Sequence, residues 1–288
     1  MHSSEMVGAF VTEGDETWYR IDGYDRQPPF LMTLAGDSDL WAFVSTGGSL
    51  AAGRRDAEGA FFPYETVDKL HQRWPHTGPR TWILLPGDAG IELWEPFAPR
   101  MDEPPAQRSV WKNLSGTRIR FRERHPAGAL DFEYEWFTSA DLGLVRSARL
   151  VARANAVSVK VLDGVLNLLP PGVGVTMSQA MSSLSDAYTW NEAAAGGRLG
   201  LFTLYAKIWD RAEPKESFEA LTAWHAGLPP GARCLLSAHQ VPSFCHDGRI
   251  EAETLTRGRR GAFLVNFDAA IDREGLNWHL VIDGPRSQ

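Results

Sequence analysis

Residues 117–137 read TRIRFRERHPAGALDFEYEWF, and their pattern decides the fold class. Arg118, Arg120, Arg122 and Arg124 alternate with Ile119 and Phe121. Asp131, Glu133 and Glu135 then alternate with Phe132, Tyr134 and Trp136. A period of two places alternate side chains on opposite faces of a strand. With Pro126–Ala129 as a four-residue loop closed by His125 opposite Leu130, Arg124 faces Asp131, Arg122 faces Glu133 and Arg120 faces Glu135. The other face pairs Phe121 with Tyr134 and Ile119 with Trp136. Opposite charges then meet on one face and aromatic or aliphatic groups on the other, the pairing that antiparallel sheets favour.

Outward from this hairpin, most of the chain reads as short strands between turns. WYRID (18–22), LWAFVST (40–46), TWILLPG (81–87) and IELWEPF (91–97) carry β-branched and aromatic residues between Gly, Pro and Asp. Pro86-Gly87-Asp88-Ala89-Gly90 predicts a turn between two of them. A second pair is expected from residues 142–154, turning at Asn155-Ala156 into 157–169. Strands return at 200–210, 261–270 and 277–283. Helical signal is sparse: Thr66 to Trp74 fits one or two turns, and Ser178 to Ala195 fits a longer helix ending before Gly196-Gly197. Many strands without strand–helix alternation predict a mainly β protein built as a large antiparallel sandwich. The expected division is an N-terminal extension (1–17), one sandwich domain (18–283) and a short tail or start of a linker (284–288).

The chain has 288 residues and a formal charge of −7, and this acidity argues against nucleic acid as a partner. No apolar run approaches the roughly 20 residues of a membrane-spanning helix. The start lacks a basic segment followed by an apolar one, so no signal peptide is expected. The two cysteines, Cys234 and Cys245, do not make a disulfide framework, which gives a cytoplasmic setting as the default. Tryptophan is abundant, with 11 residues. Indole faces stack on sugar rings, yet they also fill the space between sheets. Trp18, Trp74 and Trp94, next to Gly- and Pro-rich loops, are the candidates for exposure.

Candidate chemistry is thin. Glu133 and Glu135 lie roughly 7 Å apart on one strand, a separation that suits an inverting glycosidase. Each has an arginine opposite, which lowers a carboxyl pKa and spoils a general acid. Cys234, His239, Cys245 and His246 lack the paired short spacings of zinc sites, so no metal is expected. There is no G-x-S-x-G elbow. Gly47, Gly48 and Gly53 lack the Lys-Ser/Thr ending of a P-loop, and no cofactor is implied.

One non-periodic segment stands apart: STGGSLAAGRRDAEGAFFPYETVDKLH, residues 45–71. Glycines, arginines, aromatics and charges without hydrophobic period suit a binding loop on a rigid scaffold. Arg54, Tyr64, Asp68, Lys69 and His71 offer guanidinium, phenol, carboxylate, ammonium and imidazole to a polar ligand, with the hydroxyl of Thr46 beside them. Equally, Asp68, Lys69 and His71 are placed to solvate a short surface helix.

STGGSLAAGR (45–54), FFPYETVDKLH (61–71), WEPF (94–97), KNLSG (112–116), WFTSADLGLVR (136–146), LDGVLNLLPPGV (162–173), GLFTL (200–204) and DRAEP (210–214) together resemble the N-terminal region of cellobiose-phosphorylase-like proteins. These are relatives of glycoside hydrolase family 94. The resemblance implies a β-super-sandwich of the galactose-mutarotase-like kind, set ahead of an (α/α)6 barrel. It places the general acid and most of the phosphate site in that barrel. Twelve helices need on the order of 300 further residues. The chain is therefore expected to be a non-catalytic sandwich domain of a carbohydrate-active enzyme. Its expected partners are a sugar or oligosaccharide, a catalytic barrel in the same or another chain, and a second copy in a homo-oligomer. By the resemblance, residues 45–71 form part of a substrate-facing rim. Two alternatives stand beside this. One is a self-sufficient mutarotase-like epimerase using His71 with Asp68 or His125 with Glu123; the other is a lectin-like sugar-binding module.

Overall fold

The computed structural model describes residues 7–87, 90–99, 107–205 and 219–286. In chain order the strands begin with β1 (Val7–Glu13) and β2 (Glu16–Asp22), then a meander of β3 (Leu31–Leu34), β4 (Leu40–Ser45) and β5 (Leu50–Arg54). Helix α1 (Val67–Gln72) precedes β6 (Gly78–Gly87) and β7 (Gly90–Trp94). The middle of the chain runs through β8 (Gln107–Asn113), β9 (Arg118–Arg124), β10 (Leu130–Ser139), β11 (Gly143–Ala152) and β12 (Val157–Leu168). Helices α2 (Val175–Ala180) and α3 (Ser182–Ala187) lead into β13 (Thr189–Ala194), β14 (Leu199–Leu204) and β15 (Leu221–Ala226). The last part holds β16 (Arg233–Leu235), α4 (Val241–Asp247), β17 (Leu255–Arg257), β18 (Gly261–Ile271) and β19 (Leu276–Asp283).

Among the described residues these strands form three antiparallel sheets. The largest has 11 strands in the order β1-β2-β8-β9-β10-β11-β19-β15-β14-β13-β17. A five-stranded sheet runs β16-β18-β12-β6-β7, and β3-β4-β5 forms the third. The protein is a mainly β super-sandwich with short helices, as its sequence pattern predicts. The expected hairpin register is reproduced pair by pair: Asp131 opposite Arg124, Glu133 opposite Arg122, Glu135 opposite Arg120, Tyr134 opposite Phe121 and Trp136 opposite Ile119. Residues 7–17, expected as an extension, supply β1 and the start of β2 at one edge of the large sheet.

One continuous core joins the three sheets. Phe121, Phe132, Trp136, Leu150 and Trp278 come from the large sheet. They meet Ile83, Val161, Phe263 and Val265 of the five-stranded sheet and Leu34, Val44 and Leu50 of the meander. The five-stranded sheet is apolar on its far face too, where Trp82, Leu84, Leu162 and Leu264 pack under Phe244 of α4. Burial on both faces explains the near-continuous apolar runs of β6, β12 and β18. Arg146 and Asp163, both fully buried, form an ion pair between the sheets at 2.6 Å. Thr81 Oγ1 and Trp278 Nε1 also donate to Asp163, at 2.6 and 2.7 Å. A buried pair holds only when its remaining lone pairs are satisfied, and these two donors supply that.

Two sequence expectations are corrected. Residues 142–154 and 157–169 are strands, but they do not pair. β11 lies between β10 and β19, whereas β12 crosses to the other sheet between β18 and β6. The switch follows from burial: β12 is buried along nearly its whole length and needs cover on both faces. The helix expected over Ser178–Ala195 is two short helices broken at Met181 (φ −138, ψ 37), followed by β13. Ser178 and Ser185 donate their hydroxyls back to the carbonyls of Val175 and Ser182, which weakens a helix of this composition. Helix α4 was not anticipated, although Pro242 in its first turn and Gly248 at φ 73 past its end are helix start and stop signals. The strand expected over 200–210 is seen as β14 up to Leu204, and residues 206–210 lie outside the described residues. The turn at 86–90 joins β6 to β7 with Gly87 opposite Gly90, its two middle residues lying outside the described set.

Candidate functional site

The segment 45–71 folds as the last residue of β4, then β5, one helical turn and α1, and many of its polar groups are used within the fold. Ser45 is fully buried, and its Oγ lies 2.7 Å from His71 Nδ1. Thr46 Oγ1 accepts from the Phe30 amide at 3.0 Å. Ser49 Oγ donates to the Leu70 carbonyl, tying the glycine turn to α1. Gly48 (φ 97) faces the Trp74 ring so closely that a Cβ would stand 2.5 Å from its Cδ1, so the turn admits only glycine. Asp56 caps the turn at 57–59 by accepting from the amides of Glu58 and Gly59.

Each expected site residue can be placed. Arg54 is buried and held between Asp39 and Asp283, with Nη2 2.7 Å from the latter. Tyr64 is half-buried, its ring edge-on to Trp41 at 5.8 Å. Asp68 is exposed and accepts from the Thr66 hydroxyl at 2.7 Å. That hydrogen bond, then the backbone amide of Lys69, holds its carboxyl below the usual aspartate value. Lys69 is exposed, and His71 turns inward to Ser45 rather than toward Asp68. Fold closure thus absorbs Arg54 and His71, while Asp68 and Lys69 face solvent and Tyr64 lies between.

The second proposed acid–base pair is also divided. His125 Nε2 meets Glu92 Oε1 at 3.0 Å. Glu123 points into the core, where it accepts from Trp94 Nε1 (3.0 Å), the Phe97 amide (2.5 Å) and Arg108 Nε (2.7 Å). Phe97, whose amide makes one of these bonds, has φ 64, a left-handed conformation that a bulky residue rarely adopts. Trp18 and Trp94, offered as exposed candidates, are buried; Trp74 is half-buried with the Arg80 guanidinium 3.9 Å from its ring centroid. Burial raises the thiol pKa of both Cys234 and Cys245 to about 11. Among the described residues no group of three or more His, Cys, Asp or Glu is placed to hold a metal ion.

A concave site lies elsewhere, on the solvent face of the large sheet across β2, β8, β9, β10 and β11, with a volume of about 670 Å³. Arg20, Trp111, Arg122, Arg124, Glu133 and Arg149 are among its lining residues. The hairpin ladder forms one wall: Arg122 Nε to Glu133 at 2.6 Å and Arg124 Nε to Asp131 at 3.0 Å. Beside it Arg120 Nε meets Glu135 at 2.8 Å. Arg120 and Arg122 then lie across Trp18 and Trp111, at 4.2 and 4.5 Å from their ring centroids. Both arginines reach Glu13 on β1. Arginine stems and heads therefore roof these indoles, which is why Trp18 and Trp111 are only 1% and 4% exposed on a solvent-facing side. The ladder is legible in the sequence and the cleft is not. The missing signal was β8, whose Gln107, Ser109 and Trp111 pair with Arg124, Arg122 and Arg120 and extend the polar face by one strand.

No family model and no curated protein matches the chain. Among solved structures it is similar to a bacterial glucoamylase complexed with acarbose, at 11% identity and a TM-score of 0.46, over 91% of this chain and 34% of that one. It is also similar to a polysaccharide lyase, at 9% identity and a TM-score of 0.44, over 91% and 33% of the two chains. A heparinase III matches at 11% identity and a TM-score of 0.34, over 90% and 35%. The chain spans about a third of the length of these carbohydrate-active enzymes, none of which is a glycoside phosphorylase. No helix among the described residues is long and apolar enough to cross a membrane.

Proposed function

We propose that this chain is a carbohydrate-binding β-super-sandwich domain that serves an (α/α)6 catalytic domain, in the same or another chain, of a glycoside-phosphorylase-like enzyme. The observation that carries the binding role is the cleft of about 670 Å³ lined by paired guanidinium and carboxylate groups. They remain good hydrogen-bond partners, because each guanidinium has five N–H donors and each carboxylate several lone pairs. A polyhydroxylated ligand engages both kinds at once. The family resemblance of the sequence supports the catalytic partner, and Tyr64, Asp68 and Lys69 stand as the proposed rim.

Titration with oligosaccharides, followed by the fluorescence of Trp111 and its neighbours, tests this reading. Micromolar to millimolar binding that weakens in Arg124→Gln supports it; no response to any saccharide class refutes it. The epimerase alternative has its own measurement. Accelerated anomerisation of α-glucose by exchange NMR would establish that reading in place of this one.

A further inference from the structure

We infer that two copies of this chain pair edge to edge through β1, antiparallel about a two-fold axis at Phe10, so that the large sheet runs through both. The inference is independent of the carbohydrate reading above. It starts from the two edges of that sheet. β17, at one edge, is a strand of three residues, and Arg257 at its end lies over the Trp190 ring, 3.8 Å from the centroid. A short strand and a charged side chain are common means of keeping an edge from pairing. β1, at the other edge, reads VGAFVTE over seven residues, without proline, lysine or arginine. Its Phe10 is 69% exposed and the neighbouring Tyr19 41%, with ring centroids 5.0 Å apart.

The direction in which β1 presents its hydrogen-bonding groups follows from its neighbours. In an antiparallel ladder alternate residues bond to one side, and the residues between them bond to the other. The Leu114 amide donates to the Thr17 carbonyl and the Gly23 amide to the Arg108 carbonyl, so Thr17, Tyr19 and Ile21 turn their backbone groups toward β8. Trp18 and Arg20 therefore turn theirs toward β1, where they meet Val11 and Ala9. Gly8, Phe10 and Thr12 are left with N–H and C=O groups directed outward, and among the described residues nothing bonds to them.

β1 is its own complement. With Phe10 opposite the partner's Phe10, Gly8 stands opposite the partner's Thr12, and each outward donor meets an acceptor across the axis. Within Val7–Glu13 only this register pairs all three outward residues. Phe10 and Tyr19 share a face, so their rings continue into the same two rings of the partner as an aromatic cross-strand row. Charge agrees with the pairing. Glu13, the only charged residue of β1, already meets Arg120 and Arg122, and the two copies of Glu13 lie at opposite ends of the paired strands. The contact uses the same strand of both copies, so it closes at a dimer. Its axis stands perpendicular to the sheet, which opens the clefts of both copies on one side.

The experiment follows the full chain by analytical ultracentrifugation over a concentration series, with amide hydrogen exchange at both ends of it. A dimer should form as concentration rises, and the Gly8, Phe10 and Thr12 amides should then exchange about tenfold or more slowly. The amides of Ala9 and Val11, bonded to β2 in either state, should change far less. Phe10→Lys sets two ammonium groups against each other at the axis, and Thr12→Pro removes one outward donor while sparing the bonds to β2. Each should raise the dissociation constant by about tenfold or more. A chain that stays monomeric at every concentration overturns the inference. So does a dimer that either variant leaves unchanged, or one whose Gly8, Phe10 and Thr12 amides exchange as fast as in the monomer. Melting curves at a dilution where the wild type is monomeric show whether a variant has cost the fold, and if it has, the wild-type exchange pattern decides.

Discussion

The hairpin at 117–137 and the segment at 45–71 are both dense in charge, yet they use it in opposite ways. In the hairpin charge is periodic. Every second residue of β9 is an arginine and meets a carboxylate on β10, or Phe137 at the end of the ladder, so one face becomes a solvated ladder and the other packs in the core. In the segment charge is aperiodic, and its destination differs residue by residue. Arg54 goes inward to Asp39 and Asp283, while Asp68 and Lys69, on α1, stay outside. Period tells which face a residue takes; without it, composition alone cannot separate a structural charge from a ligand-binding one.

The hairpin contains one exception that sharpens the contrast. Glu123 falls on the inward phase of β9, opposite Phe132, and is 1% exposed. It holds Arg108 and the strained turn at Phe97. Glu123→Ala should be the most damaging single change in either region, because it takes from buried Arg108 its closest carboxylate and leaves it only Asp25, at 3.5 Å. The expected loss is about 3–5 kcal/mol, the usual cost of breaking a buried pair from one side. Denaturant unfolding measures it, and a loss within experimental error of zero would mean that the carboxylate does not organise this turn.

Arg54→Met asks the matching question of the segment. Asp39 and Asp283 would each lose the guanidinium they share, at a cost of about 1–3 kcal/mol. If Arg54 instead serves a ligand, its removal should weaken saccharide binding and leave the melting temperature in place. The two readouts together assign Arg54 to the fold or to the rim.

These contrasts explain what the sequence could reveal. The hairpin register was legible because a period of two, opposite charges and a Pro-Ala-Gly turn all agree. The large sandwich followed from the number of such strands. The partners of β11 and β12 were not legible: the short Asn155-Ala156 connection looks like a hairpin turn, and only the burial of β12 on both faces sends it to the other sheet. The break at Met181 depends on serine hydroxyls turning back on the helix, a competition that propensity averages hide. The cleft was hidden for a different reason. It draws on five strands from residue 20 to residue 151, and pairing β2 with β8 joins residues far apart in the chain, Trp18 with Asn113 and Asp22 with Ser109.

The ladder itself should be worth little per rung. Arg122 and Glu133 are each about a third exposed, so a double-mutant cycle of Arg122→Gln and Glu133→Gln should return about 0.2–1 kcal/mol. Glu13 adds a pH dependence. Burial alone would raise its carboxyl pKa, but Arg120 and Arg122 together bring it below the ordinary glutamate value of 4.5. A carboxyl lowered in the folded state contributes stability above about pH 4.5 and loses it as pH falls through the folded value. The wild type should therefore lose more stability than Glu13→Gln between about pH 5 and about pH 3. Parallel pH curves would show that Glu13 is not engaged by the arginines in solution.

The smallest expected effect lies at the exposed end of the segment, and there it is the most informative. Asp68 is fully solvated, so the hydrogen bond from Thr66 lowers its pKa without anchoring anything else. Asp68→Asn should leave the melting temperature at neutral pH unchanged, and Lys69→Ala should do the same. In the wild type the Asp68 carboxyl should titrate by NMR below 3.8, the ordinary aspartate value, and return toward it in Thr66→Val. With stability untouched, any change in saccharide affinity in these two variants belongs to contact rather than to folding. A loss of affinity in both makes α1 a working rim beside the sandwich. Unchanged affinity in both, with a loss in Arg124→Gln, assigns carbohydrate recognition to the cleft and leaves the helix as the solvated cap its exposed charges describe.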